Sequence, residues 1–321
     1  MGECREEFLV KIAAEVDRAV AHRALHGTHG VPTGRRLARG EGWGVDDVVC
    51  ASGPTDRPFE ERHDEIAIAI VAAGTFQYRS TTGRALMTPG SLLLGNAGDG
   101  FECGHEHGSG DRCIAFRFTP DYFERIAIDA RVSRPVMTFR APRLPPTHAS
   151  SAIVAHACAA LSGTSALEWE EIGIRLAATV ARHADGAPRA HVEISPLATA
   201  RVTHIVRTIE REPAVPLTLR RLAAVAELSP YHFLRTFEHM TGVTPHQYIR
   251  RTRLREAAMR LALGSERIID VAFESGFGDL SNFNRAFRAE FGVSPRVYRR
   301  YHREGGASSP LDQDRGDDRL R

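Results

Sequence analysis

The apolar positions change their period along the chain, and each change marks a different kind of element. Phe8, Ile12, Val16 and Val20 recur every four residues, which predicts an amphipathic N-terminal helix. Glycine and proline then punctuate residues 27–60. From Glu65 the texture becomes that of short β-runs: EIAIAIVAA, TFQYRS, ALMTPGSLLLG and RCIAFRF, separated by Gly74, Gly83, Pro89-Gly90 and Gly95. Such spacing predicts a small antiparallel barrel or sandwich. Thr119-Pro120-Asp121 reads as the cap and first turn of a helix through Phe123 and Ile126. Beyond Pro145-Pro146 the helical period returns in His148–Leu161 and in Leu167–His183, where Leu167, Ile172, Leu176 and Val180 form one stripe. That stripe can seal the barrel or join two copies of the chain. Asp185-Gly186-Ala187-Pro188 ends the region and opens a linker. The final EGGASSPLDQDRGDDRLR has no apolar period, which predicts a disordered tail.

The C-terminal third repeats itself. GVTPHQYIRR (Gly242 to Arg251) returns fifty residues later as GVSPRVYRRY (Gly292 to Tyr301). Phe233, Arg235 and Phe237 match Phe283, Arg285 and Phe287 at the same offset. Upstream the offset is 49, pairing Leu219, Leu222, Ala223 and Leu228 with Ile268, Val271, Ala272 and Phe277. The slip of one residue falls near Gly278, in a turn between helices. Each copy has a short helix (Leu219–Ala226 or Ile268–Ser275) and a tight turn, helped in the second copy by Gly276 and Gly278. A second helix follows, starting at Ser229-Pro230 or at Asp279 and ending at Gly242 or Gly292. This is the grammar of a helix-turn-helix.

At 100° per residue, Phe233, Phe237 and Met240 fall on one side of the first copy's second helix, with Tyr231, Leu234, Arg235 and Glu238 opposite. In the second copy Phe283, Phe287 and Phe291 form the inward stripe, while Ser281, Asn284, Arg285 and Arg288 face out. Arginine and asparagine suit bidentate contacts with guanine and adenine edges in the major groove. Solvated helix faces would show one such pattern by chance, but two copies in one register argue for base reading by Tyr231, Leu234, Arg235, Ser281, Asn284, Arg285 and Arg288. The joining helix, Pro245 to Leu263, is 19 residues, or ~28 Å at 1.5 Å per residue. That approaches the ~34 Å between successive major-groove faces. Its Arg250, Arg251, Arg253, Arg255 and Arg260 are expected to meet phosphates rather than bases, with a structural role as the alternative for some of them.

Charge sharpens this division. Ser195–Arg303 holds eighteen arginines against ten acidic residues, a net +8, which leaves −6 for the remainder of a chain whose total is +2. A basic end on an acidic body suits a protein that meets polyanion with one part only. The five cysteines (Cys4, Cys50, Cys103, Cys113, Cys158) are odd in number and scattered, unlike a secreted disulfide framework. MGECREEF lacks a basic n-region followed by an apolar core, and no run approaches the ~18 apolar residues of a membrane span. A cytoplasmic protein with no membrane partner is expected.

LAAVAELSPYHFLRTFEHMTGVTPHQYIRRTRLREAAMRL and IIDVAFESGFGDLSNFNRAFRAEFGVSPRVYRR closely resemble the AraC/XylS family of bacterial transcription regulators, over roughly Ala198 to Arg303. The resemblance implies seven helices, with the second helix of each repeat reading double-stranded DNA. Leu234 departs from it, since that outward position is often polar in the family. A leucine there can meet a thymine methyl, or leave the first unit a looser reader. The resemblance also implies a cupin-like N-terminal barrel that binds a small-molecule effector, a homodimer held partly by the 148–183 helices, and RNA polymerase as a partner at promoters.

The N-terminal half carries that pattern less fully. GRALMTPGS resembles the second cupin motif, and His63-Asp64-Glu65 resembles the metal ligands of the first. The histidine that should follow Pro-Gly is replaced by Ser91-Leu92-Leu93-Leu94, which argues against a metal-dependent cupin enzyme with an accessory DNA-binding module. In CGHEHGSGDRC, Cys103, His105 and His107 alternate, which on a strand gives one face. Thiolate and imidazole suit zinc or another transition metal, with Cys113 as a fourth ligand after the GSGD turn and His63 as a further candidate. No standard zinc-finger spacing is matched, and a polar surface hairpin explains the segment equally well. A metal- or redox-sensing regulator is the alternative reading.

The expected class is therefore α+β and non-enzymatic. Residues 1–145 form a cupin-like sensing domain with an N-terminal helix, and 146–194 a helical dimerisation region and linker. Residues 195–303 form an all-α domain of two helix-turn-helix units joined by a long helix, and 304–321 the tail.

Overall fold

Residues 7–26, 30–132, 138–161, 166–183 and 195–303 are described by a computed structural model; the linker after His183 and the tail after Arg303 lie outside these. The chain opens with helix α1 (Glu7–His26). Strands follow as β1 (Pro32–Gly40), β2 (Trp43–Cys50), β3 (Phe59–Arg62), β4 (Ile66–Gly74) and β5 (Phe76–Ser80). Then come β6 (Gly83–Met87), β7 (Leu92–Gly95), β8 (Gly100–Gly104), β9 (Asp111–Phe118), helix α2 (Pro120–Asp129) and β10 (Arg143–Leu144). They pair into a six-stranded sheet, β1-β2-β9-β4-β7-β10, and a four-stranded sheet, β3-β8-β5-β6. All described pairings are antiparallel, as in a cupin-like barrel.

The alternating runs become β4, β5, β6, β7 and β9. The β1–β2 hairpin falls where glycine, proline and charge suggested only punctuation. Two adjacent acids, Asp46 and Asp47, are buried within β2. They are tolerable there because neighbouring strands supply arginines on each face. Arg112 grips Asp47 with two hydrogen bonds of 2.8 Å, and Arg36 and Arg117 both pair with Asp46. A lone carboxylate in that position would cost several kcal/mol.

Each face of the six-stranded sheet has its own core. Val71, Leu93 and Cys113 meet Phe76, Tyr78 and Met87 between the sheets. On the other face, Ile68, Ile70, Phe116 and Phe118 are covered by α2, α3 (His148–Ala160) and α4 (Ala166–His183). Trp169, Ile172, Leu176 and Val180 of α4 are all buried in that core. The α4 stripe is thus occupied by the barrel rather than left free for a second copy.

Seven helices make the C-terminal domain: α5 (Pro196–Arg211), α6 (Leu219–Val225), α7 (Pro230–Thr241), α8 (Pro245–Leu263), α9 (Ile268–Glu274), α10 (Leu280–Phe291) and α11 (Pro295–Arg303). The first unit closes over Phe233, Phe237, Met240 and Tyr248, and the second over Phe277, Phe283, Phe287 and Phe291. Each fully buried phenylalanine contributes about 1.5–3 kcal/mol. The two halves of the chain also share packing. Leu86 of β6 enters the first unit's core, Ala155 of α3 the second's, and Met259 of α8 the core between sheet and helices. Among the described residues, no helix is long and apolar enough to cross a membrane.

Candidate nucleic-acid interface

Both second helices of the repeat are set by the same local chemistry. Ser229 Oγ accepts from the His232 amide at 3.3 Å to start α7, and Asp279 Oδ1 accepts from the Asn282 amide at 2.6 Å to start α10. At the far ends Gly242 and Gly292 close the helices in the left-handed region, with φ of 78° and 74°. These caps fix where each helix begins and so which residues turn outward.

Phe233 and Phe237 of α7, and Phe283 and Phe287 of α10, are wholly buried. Opposite them Tyr231 and Arg235 are exposed, and Leu234 is half-buried. Arg235 Nη1 donates to the Tyr231 hydroxyl at 3.4 Å, one turn away on the same face. On α10, Ser281, Asn284, Arg285 and Arg288 are all exposed and make none of the ion pairs found among the described residues. The second unit therefore presents two guanidinium groups and an amide with no competing internal acceptor. The first presents a tyrosine, an arginine and an aliphatic side chain.

The connecting helix corrects the expected phosphate contacts. Arg251 donates to Glu290 at 3.2 Å and to the Pro146 carbonyl at 3.0 Å. Arg253 donates to the carbonyl oxygens of Pro213, Gly276 and Val215 at 2.7, 2.8 and 3.2 Å. Arg255 forks onto both carboxylate oxygens of Glu210 at 2.9 and 2.7 Å. Arg260 pairs with Glu266 and Glu274. α8 runs through the middle of the domain, so its arginines satisfy turn carbonyls and buried acids that no local spacing reveals. Arg250 differs: its side chain is 43% exposed and only its Nη2 approaches Glu290, at 3.9 Å. It remains turned towards solvent.

Among the described residues, no three of the five residues considered for metal come together as a ligand set. β8 ends at Gly104, so Cys103 lies on the strand while His105 and His107 lie in the following turn; the single strand face expected for all three does not form. His63 stacks on Phe101, with ring centroids 4.1 Å apart, and its Nε2 is 2.9 Å from the Tyr78 hydroxyl. Burial lowers its pKa to about 4, so the ring is neutral. His107 faces Glu106 at 3.7 Å. Cys103 and Cys113 are buried between the sheets, and burial pushes both thiols well above their ordinary value. His105 instead meets two residues outside the predicted set, Cys50 and Asp111. Asp111 pairs across the ladder with Cys50, far away in sequence, so this proximity has no local sequence signal.

A barrel joined to two helix-turn-helix units that share one connecting helix defines a two-domain architecture, with an N-terminal β-barrel half and a C-terminal helix-turn-helix half. A family model for an AraC-like ligand binding domain matches residues 48–177, and one for a helix-turn-helix domain matches residues 222–301. The chain belongs to the AraC/XylS family of transcriptional regulators. It is 36% identical over 100 residues to the HTH-type transcriptional activator RhaS of Klebsiella pneumoniae (strain 342), covering 31% of this chain and 36% of that protein. Over 106 residues it is 28% identical to the HTH-type transcriptional regulator MtrA of Neisseria gonorrhoeae, covering 33% of this chain and 34% of that one. The chain thus spans about a third of the length of these curated relatives. Among solved structures, the DNA-binding domain of AdpA in complex with a target DNA is similar at 26% identity and a TM-score of 0.32, covering 34% of this chain and 98% of that one.

Proposed function

We propose that the protein is a sequence-specific, double-stranded-DNA-binding transcription regulator whose DNA binding or promoter activation responds to an effector at the barrel domain. One observation carries this reading. Two helices in the same register of a repeat bury their phenylalanines and leave Tyr231 and Arg235, or Ser281, Asn284, Arg285 and Arg288, facing out. These are the side chains suited to base edges, with Leu234 placed to meet a thymine methyl. Arg250 is the connecting-helix residue left to meet phosphate. The action proposed is a binding equilibrium without bond chemistry, so no catalytic residue is assigned. An effector regulates only by its different affinities for two states.

The partners implied are DNA, a small-molecule effector, RNA polymerase at promoters and a second copy of the chain, in a cytoplasmic setting. Because the α4 stripe is packed on the barrel, a homodimer would use other surfaces. Sequencing the genomic fragments retained by the purified full-length protein tests the reading. A shared motif, lost with Arg285→Ala, is the expected outcome. Equal retention of random DNA by both proteins would overturn it. Turnover by the barrel domain would instead favour a cupin-type enzyme, against which the missing motif histidine at Ser91–Leu94 stands.

A further inference from the structure

Outside the reading helices, one cluster of metal-ligating side chains has no role in DNA recognition. Cys50 at the end of β2, His105 after β8 and Asp111 at the start of β9 are all buried, and one ligand atom from each lies within 4.8 Å of the others. We propose that Cys50, His105 and Asp111 bind a single thiophilic divalent cation of the zinc type.

Three features of the cluster support the assignment. The set mixes sulfur, nitrogen and carboxylate oxygen, the donors that zinc takes in tetrahedral sites. His105 is 1% exposed, and its Nε2 lies 2.6 Å from Asp111 Oδ1 while its Nδ1 has no hydrogen-bond partner. Asp111, also buried, has His105 and Cys113 as its side-chain hydrogen-bond partners among the described residues, the Cys113 Sγ at 3.4 Å from Oδ2. No guanidinium pairs with it among the described residues, although Arg112 beside it pairs outward with Asp47 and Glu15. A divalent cation on the Nε2 side of the ring, where Asp111 lies, compensates the buried carboxylate. On binding, the Cys50 thiol gives up its proton to solvent and no electron is transferred.

Ladder register explains how the ligands meet. Cys50 is the partner of Asp111 across β2 and β9, so the two side chains share one face of the sheet. The turn after β8 folds back to bring His105 to that edge. The same turn touches the DNA-binding half, where Arg207 of α5 donates to the Ser109 carbonyl at 2.8 Å and its Nη1 lies close against Gly108. An ion holding His105 and Asp111 together would therefore tighten a turn on which α5 rests. That consequence rests on the regulator reading, whereas the binding site does not.

The test uses the full chain, stripped with chelator and titrated with zinc against a chromophoric competitor, then with cobalt(II). One equivalent should bind, and the cobalt form should show tetrahedral d–d bands with thiolate charge transfer. Cys50→Ser and His105→Asn, checked for folding by circular dichroism, should each weaken zinc binding at least tenfold, whereas His63→Asn should not. Should the variants fail to fold, X-ray absorption on the zinc-loaded wild-type protein decides: a first shell containing sulfur at ~2.3 Å supports the site. No stoichiometric binding, an all-oxygen shell, or equal loss with His63→Asn would overturn it. DNA binding is not a readout here, so failure of this site and failure of the regulator reading are distinct results.

Discussion

Glu290 on α10 and Arg251 on the connecting helix form a part-buried ion pair, Nε to Oε1 3.2 Å apart. The pair is not isolated. Ser151 of α3 donates to the same carboxylate, and Arg251 also reaches the Pro146 carbonyl ahead of α3. α10 is therefore oriented both by α8 and by the helices that cover the barrel. A shift of α3 would be felt directly at the helix carrying Ser281, Asn284 and Arg285.

Arg251→Ala should leave Glu290, whose side chain is 3% exposed, without its main counter-charge. We expect a loss of about 3 kcal/mol in urea unfolding. The slope of log binding constant against log salt should stay unchanged. Unaltered stability with a slope reduced by about one unit would make Arg251 a phosphate ligand instead.

Arg285→Ala should cost about 1–3 kcal/mol on the selected operator and little on random DNA, with discrimination relaxed at particular base pairs. Arg250→Ala should weaken both equally and flatten the salt dependence. Gel-shift titrations at several salt concentrations separate the two. A uniform loss from Arg285→Ala would remove it from the base-reading set.

Gly276→Ala should destabilise the second unit by about 1–3 kcal/mol, measured by thermal or urea unfolding. Gly276 sits at φ 85°, and a Cβ there would lie 2.8 Å from the Ala214 Cα. Gly278 has ordinary φ and open space around it, so Gly278→Ala should be nearly neutral. The first repeat meets the same demand with Glu227 at φ 53°.

Burial pushes the Glu256 carboxyl up to about 7, and its Oε2 has no hydrogen-bond partner. The folded protein thus keeps a proton that the unfolded chain releases from about pH 4.5. The stability it contributes is complete below pH 4.5 and lost as pH rises through 7. Glu256→Gln should match wild type near pH 4.5 and exceed it by about 1–2 kcal/mol at pH 8. Parallel stability curves for the two proteins across this range would refute the assignment.

The sequence by itself determined the elements whose cause is local. The repeat of Phe233 and Phe237 with Phe283 and Phe287, the caps Ser229 and Asp279, and the closing glycines Gly242 and Gly292 specify α7 and α10 and the faces they expose. Hydrophobic period and capping act over one or two turns of chain, so they are legible there. Only the tertiary structure decided what the charges do. Arg251, Arg253 and Arg255 share one basic helix, yet their acceptors are Glu290, Gly276 and Glu210, on other elements. Asp46 and Asp47 look like loop residues until β1 and β9 bring arginines to them. Cys50 and Asp111 are 61 residues apart and become neighbours through strand pairing alone. A charge or a ligand atom gains its meaning from its partner, and the partner is supplied by long-range packing that no window of sequence contains.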